Sequence, residues 1–187
     1  MSQLKVNSIV PTGGVASSGG DQLGGGVIQV VGAYKGDRFT TSSASFVDIP
    51  DLQLTITPSS TSSKIFVMGS FGSASVRASN LDFGHIIRIL RNGSDLNKLN
   101  GTAEGSRIRA CLKGLGNSFN NDHIPGGMAF MGVDDPASTS ALIYKAQVHI
   151  KQSAYPFYLN GTPNNGNDGS IYNGRFMCSL IAMEVTA

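Results

Sequence analysis

An all-β sandwich is the fold class that this sequence predicts, and three observations predict it. Apolar and polar residues alternate with period two over short runs, most cleanly across Ala141–Lys151, where Leu142, Tyr144, Ala146, Val148 and Ile150 fall on one face. Gly, Pro or Ser/Thr/Asn clusters punctuate the chain between such runs. Helical periodicity is not sustained over any useful window, and many short strands with turns between them indicate a sandwich or barrel.

Composition narrows the function classes. The chain has 187 residues, enough for one domain plus an arm. Charged residues are 14%, well under the usual quarter, while hydrophobic residues are 40%, so disorder driven by charge is excluded. The net charge is +2 and no Lys/Arg run occurs, which gives no footprint for tracking phosphates; no nucleic-acid partner is expected. No run approaches the length of a membrane span, and no basic segment followed by an apolar one opens the chain, so neither membrane insertion nor a secretory signal is expected. Cys111 and Cys178 are the only cysteines; they read as buried small hydrophobes, with a bridge left open.

Residues 1–26 read as an extended arm. Leu4, Val6 and Ile9 alternate weakly, and the Gly/Ser/Pro stretches up to Gly24-Gly25-Gly26 break any regular element. A glycine-rich arm is ordered only when something holds it, so Leu4, Val6 and Ile9 are candidate docking anchors. The head domain is expected over 27–187, with strands near 27–33, 44–49, 52–57, 64–73, 83–91, 106–113, 127–133, 141–151, 155–159 and 174–185.

The stretch Ser42–Phe71 organises this head. Leu52, Leu54 and Ile56 alternate with polar neighbours, Pro58–Ser63 must turn, and Lys64 then opens Ile65–Phe71, which is apolar on both faces. An isolated subunit would leave one of those faces wet, which soluble monomers avoid. Phe66, Met68, Phe176 and Leu180 are therefore candidates for a homotrimer interface. Asn92-Gly93, Asn100-Gly101 and Asn160-Gly161 read as tight hairpin turns rather than glycosylation sequons.

Several strings carry a family resemblance. TTSSASFVDI at Thr40–Ile49, TITPSSTSSKI at Thr55–Ile65, DDPASTSALIYKAQ at Asp134–Gln147 and MCSLIAMEV at Met177–Val185 are similar to strings in tail-fibre and other virion structural proteins of marine, cyanophage-like bacteriophages. The opening MSQLKVNSIVPTGG and the VIQVV after the glycines resemble the same proteins. A looser likeness is to trimeric C1q/TNF-like heads. The resemblance implies a jelly-roll-type sandwich, a homotrimer, and an arm that docks on other virion proteins. It implies localisation in the virion, as a tail fibre or tail-associated protein, with a capsid decoration (cement) protein as the alternative. The stretches 74–84, 113–126 and 160–172 depart from the family strings and read as individual loops. Asn117, Asn120, Asn164, Asn165 and Tyr172 are the candidate contacts there for a host-surface glycan.

Chemistry-bearing constellations are weak. Asp134-Asp135 before Pro136 reads as a turn, not half of a carboxylate pair. Asn164–Gly169 lacks EF-hand spacing. His85, His123 and His149 share no ligand spacing, and no G-x-S-x-G elbow occurs. Arg107 and Arg109 are expected on one strand face, pairing with acidic groups, lining a seam or solvated. No catalytic residue, metal or cofactor is expected.

Overall fold

The structure is a computed structural model that describes residues 26–77, 84–114, 116–117, 126–163, 165–169 and 173–185. Over half of the chain, 54%, is strand, in antiparallel sheets with almost no helix, as expected of an all-β sandwich. The strands are β1 (Val27–Lys35), β2 (Phe39–Thr41), β3 (Val47–Ile56), β4 (Lys64–Arg77), β5 (His85–Arg91), β6 (Ser94–Asp95), β7 (Leu112–Gly114), β8 (Gly116–Asn117), β9 (Gly126–Asp134), β10 (Leu142–Ile150), β11 (Phe157–Leu159) and β12 (Cys178–Val185), with one helical turn, α1 (Asn97–Asn100).

One sheet runs β1-β12-β4-β11-β2, with β9 and β8 also paired to β4. β4 is its spine: residues 64–71 pair with β12 along one edge, while β9 pairs along the other. The second sheet runs β3-β10-β5-β6, with β7 on β5. Ile65, Val67 and Phe71 of β4 and Leu180 and Ala182 of β12 meet Tyr144, Ala146, Val148 and Ile150 of β10 in one core, all 0% exposed. The alternation read over 141–151 is thus the inward face of β10, whose burial alternates along its whole length.

Two glycines on inward positions make room for large neighbours. A Cβ on Gly69 would come within 2.2 Å of the Phe130 ring, and one on Gly132 within 2.6 Å of Leu99, the residue by which α1 enters the core. These are packing glycines rather than turn glycines.

Three expectations about elements need correction. The strands expected at 44–49 and 52–57 are one strand, β3. Its ladder to β10 jumps from Asp48↔Gln147 to Gln53↔Lys145, so the intervening residues bulge, with Asp51 at φ 65. Pro50 is tolerated because β3 is an edge strand and the bulge needs no donor from it. The bulge also turns both Ile49 and Leu52 inward.

The strand expected at 106–113 is mostly irregular, with Ile108 60% exposed and pairing to β5 limited to the Cys111 N–H and Leu112–Gly114. Arg107 and Arg109 therefore share no strand face; Arg107 pairs with Glu104, and Arg109 with Asp95 and Asn97.

Of the three Asn-Gly pairs, only Asn92-Gly93 closes a hairpin, β5–β6, with both residues at positive φ. Asn100 ends α1 instead. Its side chain accepts from the Ile89 N–H and donates to the Ile89 carbonyl, standing in for a strand partner on β5. Asn160 ends β11 and donates to the carbonyls of Lys35 and Asp37. In both places a buried carboxamide satisfies backbone groups that would otherwise be orphaned.

A buried carboxylate joins β12 to the β3–β4 connection. Glu184, 0% exposed, accepts from the Ser59 N–H and hydroxyl and from the Gln29 amide, at 2.6–2.7 Å. The Ser63 hydroxyl lies beside it without meeting hydrogen-bond geometry. Burial pushes this carboxyl up, but the hydrogen bonds outweigh burial and bring it down to about 2. Its folded value is depressed, so its contribution is complete above the ordinary carboxyl range and is lost as pH falls from about 4.5 towards 2. Glu184→Ala should lower unfolding free energy by about 1–3 kcal/mol at pH 7 in urea titrations, since it removes the shared acceptor of Ser59 and Gln29 at a buried position. The deficit should shrink as pH falls through that window.

Candidate functional site

The feature that sets this sandwich apart is the outer face of its larger sheet. Strand register aligns side chains across β1, β12, β4 and β9 into three rows. The first is Val30, Met183, Phe66 and Val133; the second is Gly32, Ile181, Met68 and Met131; the third is Tyr34, Ser179, Ser70 and Ala129. Only Gly32 and the two serines interrupt the apolar surface. Met131 is 72% exposed, Tyr34 61% and Val30 56%, while Phe66, Met68, Ile181 and Met183 are half-buried by one another. Tyr34 lies across Gly32: a Cβ there would come within 2.8 Å of the Tyr34 hydroxyl. Ile28, 44% exposed, extends the patch along β1.

The sequence dictates this directly. Period-two alternation in β4 sends Ile65, Val67 and Phe71 inward and Phe66 and Met68 outward, so the unbroken apolar run Ile65–Met68 must place apolar groups on both sides. β12 does the same with Ile181 and Met183. A surface of scattered apolar residues is ordinary, but a contiguous one on a regular sheet marks an interaction site.

The opposite outer face contrasts with it. There Asp48 accepts from Lys145 and Gln147, and the Arg88 guanidinium donates to Gln147 and Asp95 while stacking 3.6 Å over the Phe46 ring. His149 meets the edge of the same ring at 5.1 Å. Ile86, Leu90 and Ile143 add apolar members to this face, with Leu90 buried. Hydrogen bonding to Lys145 holds Asp48 below the ordinary carboxylate range. Such a network is at home in water and has no need of a cover.

A shallow polar cleft lies at one end of the sandwich, lined by Arg91, Asp95, Lys98, Asp134 and Asp135 among others. The carboxylates that read as a turn in the sequence are braces here. Asp134, 5% exposed, accepts from the Arg91 guanidinium and from the Tyr144 hydroxyl, each at 2.6 Å. Burial, and then the adjacent carboxylate, raises Tyr144 above its ordinary value. Asp135 accepts from Lys64 and Lys98, which hold it below the usual range. Every carboxylate in the cleft is thereby engaged. Among the described residues no group of three or more His, Cys, Asp or Glu is placed to hold a metal ion.

The structure places the sequence candidates unevenly. Phe66 and Met68 come together at the centre of the apolar face. Leu180 does not belong there: it is 0% exposed in the core, because β12 turns even-numbered residues inward. Phe176 precedes β12, half-buried beside Gly72 rather than on the three rows. Asn117 lies in β8, whose backbone pairs in parallel with β4, and not in a free loop. Asn165 is exposed but its side-chain oxygen accepts from Arg175 at 2.6 Å. Leu4, Val6, Ile9, Asn120, Asn164 and Tyr172 lie outside the described residues. Missed altogether were Val30, Tyr34, Met131 and Val133, whose membership depends on which strands flank β4. The signal available was the outward-apolar alternation within Val27–Tyr34 and Ala129–Val133.

Both cysteines are free thiols. Cys111 donates to the Ile87 carbonyl, and Cys178 is buried against the Asn160 side chain. Burial pushes the Cys111 thiol up to about 12, so it is no nucleophile at neutral pH. No helix of the described residues is long and apolar enough to cross a membrane. No family model matches this chain, and no curated protein matches it significantly.

Inner and outer residues should separate in denaturant. Leu180→Ala removes core packing and should cost about 2–5 kcal/mol at any protein concentration. Met68→Ser touches no core contact, so any loss should grow with protein concentration, as expected when assembly contributes to stability. Urea midpoints of both variants at two protein concentrations at least a hundredfold apart check this.

Proposed function

We propose that this chain is a structural protein of a bacteriophage virion, a tail fibre or tail-associated component, whose head assembles as a homotrimer through the apolar sheet face. The observation that carries this reading is the asymmetry of the sandwich, with one outer face apolar over four strands and the other knitted by charged and polar groups. A free-standing monomer gains nothing from such a face, while an assembled subunit buries it. The extended similarity to virion strings supplies the biological setting.

The strand order supports the finer fold reading. β1-β12-β4-β9 in one sheet opposite β3-β10-β5-β7 in the other makes the chain alternate between sheets, as nested Greek keys of a jelly roll do. The same reading makes the protein non-catalytic. Its best carboxylate pair, Asp134 and Asp135, is committed to Arg91, Tyr144, Lys64 and Lys98, and its cysteines are buried or hydrogen-bonded.

The arm completes the proposal. Gly26 leads directly into β1, an edge strand of the sheet that bears the apolar face. Residues 1–25 can reach at most about 90 Å when fully extended, so Leu4, Val6 and Ile9 can anchor on a neighbouring virion protein by adding a strand to its sheet. Host contact falls to the head loops, with a surface glycan as the partner.

Deleting residues 1–23 should leave a folded, self-associating head that no longer enters particles, measured by quantitative mass spectrometry of purified virions. Copy number in the parent particle separates the two settings: a few trimers mean a tail position, and hundreds mean capsid decoration. Normal incorporation of the truncated chain would place the attachment surface on the head.

A further inference from the structure

His85 is a buried titratable group that the assembly reading does not use. It opens β5 on the inward face and is 2% exposed. Its ring meets Phe157 of the other sheet, with centroids 4.8 Å apart. On its own sheet Gly114 of β7 leaves room for it, since a Cβ there would come within 2.1 Å of the ring. Among the described residues neither ring nitrogen has a hydrogen-bond partner. An aliphatic side chain would fill this space without leaving two polar atoms dry, so the imidazole costs stability here.

We propose that His85 is an acid-operated latch between the two sheets: neutral, it joins the start of β5 and β7 to β11, and on taking up a proton it releases that end of the sandwich. Among the described residues the groups packed on the ring offer a cation no acceptor. The strand neighbours are Gly114 of β7 and Ile150 of β10, and the facing ring is Phe157. Among the described residues, the titratable groups on these strands point elsewhere. Lys113 is exposed on β7, His149 lies on the outer face of β10 against Phe46, Lys151 is exposed beyond β10, and Tyr158 faces outward under Arg38. Arg88 on β5 itself faces out and is held by Gln147 and Asp95.

Burial alone pushes His85 down to about 4 from its ordinary 6.5. Its folded value is depressed, so closure is complete above 6.5 and weakens as pH falls from 6.5 towards 4, because the open form binds the proton first. Between pH 7.5 and 5.0 that difference raises the open population roughly thirtyfold. The inference does not rest on the virion assignment.

Hydrogen exchange of the full chain at pH 7.5 and 5.0, corrected for intrinsic rates, tests it against His85→Leu. Opening at amides of 85–90, 112–114 and 157–159 should rise about thirtyfold in the parent and less than about threefold in H85L, with the β1–β12 ladder unchanged. An equal rise in both proteins, a rise spread over the whole chain, or no rise would overturn the latch. If H85L does not fold, the parent imidazole followed by NMR decides alone. A ring that stays neutral to pH 5 in the closed form while the local amides open supports the latch, and ordinary titration near 6.5 in the closed form overturns it.

Discussion

The structure depends on the position of β4, a central strand apolar on both faces. Its two edges are taken by β12 and β9, and its inner face is taken by the core. The remaining surface is the outward one, and Phe66 and Met68 occupy it. No rotation or one-residue slip relieves this, because a slip would only exchange which apolar set faces out. The neighbours share the condition, with Val30, Ile181, Met183 and Met131 adding to the same surface. The sandwich thus carries a contiguous apolar surface on its outside.

Buried polar groups do a separate job, fixing the ends and corners where backbone pairing stops. Asn100 supplies β5 with a carboxamide in place of a strand, Asn160 holds the Lys35–Asp37 corner, and Glu184 gathers Ser59 and Gln29 at the β3–β4 connection. Asp134 ties the end of β9 to Arg91 and Tyr144. Each is held by several partners at once, which fixes the local geometry. His85 is the contrasting case: buried like them, but with neither nitrogen engaged among the described residues.

Much of this was legible in the sequence, and the reasons differ by element. The 141–151 alternation and the two-faced apolar run at 64–71 gave β10, β4 and the outward Phe66 and Met68, because period-two geometry is local. The β3 bulge was not legible, since Pro50-Asp51 reads as a break unless the strand is known to lie at an edge. The 106–113 run has strand-like residues but no partner along most of its length, and strand identity depends on a partner. Leu180 was misplaced because both faces of β12 are apolar, so composition could not say which set points in. Val30, Tyr34, Met131 and Val133 belong to the face only through long-range register, which one sequence does not display.

The central claim is that the apolar face of β1, β12, β4 and β9 is a contact between copies of this chain. Multi-angle light scattering of the full chain at micromolar concentration tests it most directly. The expected particle has three times the 19.5 kDa chain mass, falling to a single chain in Met68→Arg with the circular dichroism of a folded β protein retained. A folded parent that scatters as a single chain would contradict it.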